Sequence, residues 1–363
     1  MKVSDFTMCE CKVREAAATG TLVDLRVGDP AIDSPENGTV WGPERCVRAE
    51  VIADLLNGDS AAASVPVRGV RVQGARILGE LNLEAVTLRC PLALLDCSFA
   101  SAINLNEATA VSVRLSGSHV PTVHARQLLT RGDLRFDEGF SVSAGVELAA
   151  AHIGGDLDCK GSQFSNSGGP ALNADRLTVD GSLVFDEGFE ASGEVRLPGA
   201  HIGGQLIGFG CHFSNPDGYA LIGDGLRVAG GVLCGEGFEA GGGVRLLHAH
   251  IGNLLVCTGG HFSNSNGPAL NADGLTVDGS MFCEGGFSAN GEVSLLGTHI
   301  GGQFACRGGH FSNPDGLALN AAGLIVDQDM VCSEGVLSQW WGKSGWRSHQ
   351  WRARLLRWSV LQL

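Results

Sequence analysis

The chain has 363 residues, of which 54 are Gly and one is Tyr, and its net charge is −14. Gly at about twice its usual share, without a collagen period, asks for many tight turns and argues against an ordinary enzyme composition. The acidic balance argues against direct nucleic-acid binding, which needs clustered Lys and Arg.

Residues 1–12 contain acids and no apolar stretch. No secretion signal is read there, and a cytoplasmic location is expected. No run of about 18 apolar residues exists, so no transmembrane helix is expected. Residues 1–65 read as a helical N-terminal cap. Thr7 to Ala18 has helical composition with Met8, Cys11 and Val13 spaced along it. Glu44 to Leu56 puts Val47, Val51, Ile52, Leu55 and Leu56 on one face, with Pro43 near the start and Gly58 after the end. Two short helices would cover the open edge of a first coil and block edge-to-edge association.

Residues 66–335 are repetitive. Ala-His-Ile-Gly or a near variant recurs at His152, His201, His250 and His299, every 49 residues. Phe-Ser-Asn recurs at Phe164, Phe213, Phe262 and Phe311 with the same period, regular from about residue 136. Each unit is double: Val277, Met281 and Cys283 match Ile300, Phe304 and Cys306, so the coil is alternately 23 and 26 residues. Short apolar alternations separated by Gly-Gly, Asn-Pro-Asp-Gly and Glu-Gly-Gly read as short strands and turns. Residues 66–135 carry a less regular version, as in Ala75-Arg-Ile-Leu-Gly-Glu-Leu-Asn-Leu83, with shorter loops. The pattern predicts an all-β, right-handed parallel β-solenoid of ten or eleven coils, rising ~4.8 Å per coil.

The cysteines follow the coil. Cys159, Cys234, Cys257, Cys283, Cys306 and Cys332 occupy one coil position, which Phe136 and Phe185 fill elsewhere. A position shared by Cys and Phe is an apolar core site, and a tetrahedral Zn site does not come from a column. His152, His201, His250 and His299 form another column, and His212, His261 and His310 a third. Their members recur every second coil, ~9–10 Å apart, too far for one ion to join two of them. The acids fall in stripes. Asp137 with Glu138, Asp186 with Glu187, then Glu236, Glu284 and Glu334 form one; Asp175, Asp224 and Asp273 form another. Charges ~9.6 Å apart repel by only about 0.4 kcal/mol in water, so a solvated acidic face is inexpensive. The sharper alternative is a partner surface resembling the DNA phosphate array.

Gly155-Asp-Leu-Asp-Cys-Lys-Gly-Ser-Gln-Phe164 and Ala272-Asp-Gly-Leu-Thr-Val resemble the pentapeptide-repeat proteins over roughly residues 66–335. That family builds right-handed quadrilateral β-helices from Ala-(Asp/Asn)-Leu-X-X units, four pentads to a coil. The resemblance implies quadrilateral-type coils, here lengthened to about 23–26 residues, with Gly274 or Arg176 interrupting Ala-Asp-Leu. Some members mimic DNA and protect topoisomerases. Fold carries over better than function.

The expected function is a non-enzymatic scaffold that binds a protein. The alternatives are an acidic DNA mimic acting on a topoisomerase or other DNA-binding enzyme, and an oxidoreductase-type enzyme with an unrecognised site. No Ca²⁺ β-roll signature, dinucleotide fingerprint, Walker loop or nucleophile elbow is present. Catalytic, cofactor-binding and metal residues are therefore assigned to none. The acidic stripe is the candidate partner surface, and dimer formation is left open.

Residues 336–363 break the pattern. Five of six Trp lie here, with five Lys or Arg and no acid, which leaves −19 for the rest of the chain. Taken alone, Trp340 to Leu363 resembles a basic amphipathic membrane helix. A codon choice for Trp346 to Leu363, read one base later, instead gives Gly-Ala-His-Ile-Ser-Gly-Glu-Leu-Ala-Cys-Ser-Gly-Gly-Gln-Phe-Ser-Asn. That is the next repeat, its His falling 49 residues after His299. A one-base insertion near codon 335 is expected. Resequencing decides it: an intact frame, with no G-run indel there in related strains, refutes the insertion and revives the membrane-helix reading.

Overall fold

The structure is a computed structural model that describes residues 6–57, 67–314 and 316–332. The tail 336–363 and Glu334 lie outside the described residues.

The chain winds into stacked coils in which every strand pairs parallel with its counterpart one coil on. Each coil carries four short strands, as in Leu134–Arg135, Ser141–Val142, Val146–Glu147 and His152–Ile153. They stack into four faces. The first is a 13-stranded sheet and the fourth a 10-stranded sheet. The second and third join into one 21-stranded sheet because His212–Ile222 and Glu239–Arg245 run through both. One inward residue per strand is buried and its neighbours face out, the two-residue alternation expected of a half-buried strand.

Register gives the coil length directly. On the first face Leu134 pairs with Leu157, Leu157 with Leu183, Leu183 with Leu206 and Leu206 with Val232, steps of 23 and 26 residues in turn. The earlier coils, from Val70 to Leu92 to Val113 to Leu134, take 22, 21 and 21 residues. A long coil has one residue fewer between the first and second faces and four more between the second and third, as from Gln163 to Leu172 against Ser141 to Val146. There Asn166, Asn215 and Asn264 each donate a side-chain N–H to the carbonyl four residues on, at 3.0, 2.9 and 3.0 Å. The Asn of each Phe-Ser-Asn thus pins its own loop.

Stacking turns inward positions into ladders. Phe140, Phe164, Phe189, Phe213, Phe238, Phe262, Phe287 and Phe311 run up the interior with adjacent ring centroids 5.0–5.9 Å apart. Such spacing adds aromatic attraction to the burial of each ring. At the corner between the third and fourth faces one residue per coil is left-handed: Ala85, Glu107, Gln127, Ala150, Arg176 and His248 in some coils, Gly199, Gly225, Gly274, Gly297 and Gly323 in others. A backbone at φ +53° to +71° turns the chain there, which is why Gly274 or Arg176 interrupts Ala-Asp-Leu.

The N-terminal segment differs in part from expectation. The helix Met8–Thr19 begins with a Thr7–Glu10 capping box. The second helix is Ala49–Asn57, shorter than the Glu44–Leu56 expected. Cys46–Arg48 is a strand, parallel to Arg76–Leu78, with Val47 opposite Ile77. Val23–Asp24 likewise pairs with Val72 and Gln73. The segment therefore extends two faces as well as laying helices against Val70–Gln73 and Leu81–Asn82. Its parts are tied by Glu10 with Arg48 at 2.7 Å and by buried Arg45 with Asp33 at 2.6 Å, Arg45 stacking 3.6 Å over Trp41. The Arg48 guanidinium holds the Glu10 carboxyl down to about 2.

Phe185 is packed 4.6 Å from Phe189 and 5.5 Å from Phe213, with 1% of its surface exposed. Phe185→Ala is expected to destabilise its coils by about 3–5 kcal/mol. Because coils contact only neighbours, amide exchange should accelerate around residues 160–215 and stay slow near Leu92. Uniform acceleration would contradict local stacking.

Candidate interaction surface

The stacking gathers the cysteines, each histidine set and the second acidic stripe into columns, and the first acidic stripe into two adjacent columns. The cysteines point inward. Cys159, Cys234, Cys257, Cys283 and Cys306 are buried and Cys332 is half-buried. Phe136 and Phe185 hold the same position, and Gly208 holds it in one coil, where Cys211 Sγ lies 3.0 Å from the place a Gly208 Cβ would take. Burial pushes the Cys159 and Cys234 thiols well above the ordinary range. Hydrogen bonding to Cys283, then burial, does the same for Cys257. Cys306 and Cys332 stand Sγ to Sγ at 3.0 Å, and this contact together with burial keeps Cys306 a thiol. Among the described residues no group of three or more His, Cys, Asp or Glu is arranged to hold a metal.

The acidic stripe follows the corner between the first and second faces, and its six described members come together there. They are not a bare row of charge. Asp137 is buried, accepts a hydrogen bond from Ser116 and stands 3.6 Å from Arg135. Glu138 pairs with Arg114 at 2.9 Å, Glu187 with Lys160 at 3.6 Å and Glu284 with Arg307 at 3.8 Å. Asp186 accepts from the Glu187 N–H and stands in register with Lys160, and neither Asp186 nor Glu236 forms an ion pair among the described residues. In the second stripe Asp175 pairs with Arg196, Asp224 with Arg245, and Asp273 accepts from the Ser294 hydroxyl.

The first histidine column lies outward on the fourth face. In register it reads Thr109, Leu129, His152, Thr178, His201, Arg227, His250, Thr276, His299 and Ile325. Every second coil intervenes between histidines, as the period requires. His152, His250 and His299 each set Nε2 3.0 Å from a carboxylate of the following coil: Asp180, Asp278 and Asp327. The second column is on the second face, where His212 meets Glu239 and His261 meets Ser288 at 2.6 Å.

The fourth face also carries a shallow open depression of about 430 Å³, lined by Thr178, Asp180, His201, Arg227, Ala229 and His250 among others. Arg227, which stands in register between His201 and His250, was not among the candidate residues of the sequence. The signal was present. The coil Arg227-Val-Ala-Gly-Gly stands where its counterparts read Thr178-Val-Asp-Gly-Ser and Thr276-Val-Asp-Gly-Ser.

The architecture defines a parallel β-solenoid repeat protein. No protein-family model matches the chain, and no curated protein or solved structure is significantly similar to it. Among the described residues no helix is long and apolar enough to cross a membrane.

Thiol titration checks the inward column. With a bulky disulfide reagent on native protein, half-buried Cys11 and Cys332 are expected to react ahead of Cys159, Cys234, Cys257, Cys283 and Cys306. Rapid reaction of the buried five would contradict their place in the core.

Proposed function

We propose that the chain is a non-enzymatic binding scaffold, a degenerate long-coil relative of the pentapeptide-repeat proteins, that engages a protein partner along its fourth face. The family reading draws on the four-strand coil and on the 21-residue steps of the early coils, close to four pentads. The observation that carries the binding reading is the outward ladder of the fourth face. One side chain per coil stands in register over ten strands, with histidines held by Asp carboxylates and with Leu129 and Ile325 exposed at 47% and 57%. The interior is filled, its apolar cavity amounting to about 20 Å³ near Leu226 and Val232, so the outward faces are the surfaces on offer. Solenoids use such extended surfaces for binding.

The mimicry alternative draws no support from the acidic corner, where Arg114, Lys160 and Arg307 stand among the carboxylates. The two readings part on two variants of exposed residues. Leu129→Glu alters the fourth face and Glu236→Lys the acidic corner. A protein captured and identified with the wild-type chain is expected to bind Leu129→Glu at least about tenfold more weakly and Glu236→Lys unchanged, a difference of about 1.4 kcal/mol. The opposite ranking, with inhibition of supercoiling by a purified topoisomerase that Glu236→Lys relieves, would overturn the fourth-face reading.

A further inference from the structure

The fourth face repeats one device three times and breaks it once. At His152, His250 and His299 the next coil supplies an Asp, two residues after the residue in register, whose carboxylate meets the imidazole Nε2 at 3.0 Å. For His201 that place is Ala229. The same coil also replaces the column's Thr by Arg227. The two changes act in one direction: a carboxylate is removed and a guanidinium added, beside a histidine that keeps its position.

Around this break His201 and Arg227 stand side by side in register. The His201 Nδ1–H donates to the Gly199 carbonyl at 3.0 Å, so Nε2, without a hydrogen-bond partner among the described residues, donates to an acid only in the protonated ring. Arg227 is exposed and makes no ion pair among the described residues, unlike Arg196 and Arg245 in the coils around it. Ala229, Gly203 and Gly252 add no bulk, and the depression opens over them. His250 closes the far side with its own Nε2 held by Asp278. The flanking His201 and His250 backbones are two strands apart, ~9.6 Å, with Arg227 in register between them.

We propose that His201, Arg227 and the floor at Ala229 form a binding site for a carboxylate from outside the chain. The group recognised is chemically the one the repeat supplies for itself at Asp180, Asp278 and Asp327. A guanidinium presents two parallel N–H donors to a carboxylate, a match that Lys or Thr cannot make. Asp180 lies at the rim of the depression, but its carboxylate is engaged by His152 and sits two coils from Arg227. The ligand is therefore a carboxylic acid, free in solution or borne on an acidic peptide. The site does not rest on the scaffold reading, because anion binding is measured on the isolated chain.

The test uses a variant drawn from the protein's own repeat. Arg227→Thr with Ala229→Asp restores the Thr-Val-Asp of the coils at 178 and 276, so its fold is preserved by construction. Two probes, acetate and a short peptide rich in Glu with an amidated end, are titrated into the full chain. The side-chain NMR signals of His201 and the Nε–H of Arg227 are followed. Both signals are expected to shift saturably in the wild type, and affinity is expected to fall about tenfold or more in the double variant. Tighter binding of the peptide at equal carboxylate concentration would assign the ligand to a protein segment. Equal or tighter binding of acetate would assign it to a small acid. Absence of saturable shifts with both probes, or equal affinity in the double variant, would overturn the proposal.

Discussion

Everything in this molecule follows from parallel hydrogen bonding of each coil to the next in register. The Phe136 N–H donates to the Asp158 carbonyl at 2.8 Å and the Cys159 N–H to the Val184 carbonyl at 2.9 Å, and the same contacts recur up the stack. Parallel register brings each residue within ~4.8 Å of its own counterpart. A side chain that packs well on itself can then be reused at every level. Phe does so with tilted or edge contacts at 5.0–5.9 Å, and Cys does so by filling little space. The Phe ladder lies beside a column that reads Phe136, Cys159, Phe185 and Gly208 and then Cys in every coil from Cys234 to Cys332.

That constraint also makes the fold readable. Identical contacts select nearly identical residues, and the 49-residue period of His152, His201, His250 and His299 is the trace of that selection. The division into steps of 23 and 26 was legible because Cys283 and Cys306 are neighbours in one column. The left-handed corner was harder to see. Its position is held by Gly225 and Gly274 but also by Ala150, Arg176 and His248, so no residue type announces it. The surrounding ladder imposes the conformation, at a cost of roughly 1–2 kcal/mol for a residue with a Cβ.

The cap shows where pattern alone misleads. Val47, Val51, Ile52, Leu55 and Leu56 are all buried, as a helical face would be, yet Val47 reaches the core from a strand. Spacings of three and four residues are compatible with helix, and the pairing of Val47 with Ile77 is a contact 30 residues away that local sequence does not encode. The chain uses this strand and Val23–Asp24 to present paired edges to the first coils, while Ala49–Asn57 covers the interior. The ions that hold the cap, Glu10 with Arg48 and Arg45 with Asp33, were equally invisible, since each joins residues at least 12 apart.

A ladder selects for sameness, so sameness carries the fold and departures from it carry other information. The departures cluster. Gly208 stands for Cys or Phe, Ile222 and Gly223 for the Asn-Ala of 173–174 and 271–272, and Arg227 and Ala229 for Thr and Asp. The sole Tyr, Tyr219, lies in the same stretch beneath the Arg245 guanidinium at 4.7 Å. Each of the two glycines removes inward bulk, and the cavity of about 20 Å³ lies against Gly223. Relaxed stacking costs stability wherever it occurs. One coil that gives up an inward Cys and an inward Ala, and on its outer face exchanges a carboxylate for a guanidinium, is the coil in which stacking is least the governing requirement. The acidic corner, by contrast, keeps its carboxylates and mostly keeps cations beside them, as a solvated edge does. The chemistry of this solenoid is therefore to be sought where the repeat fails, beside His201, rather than where it is most regular.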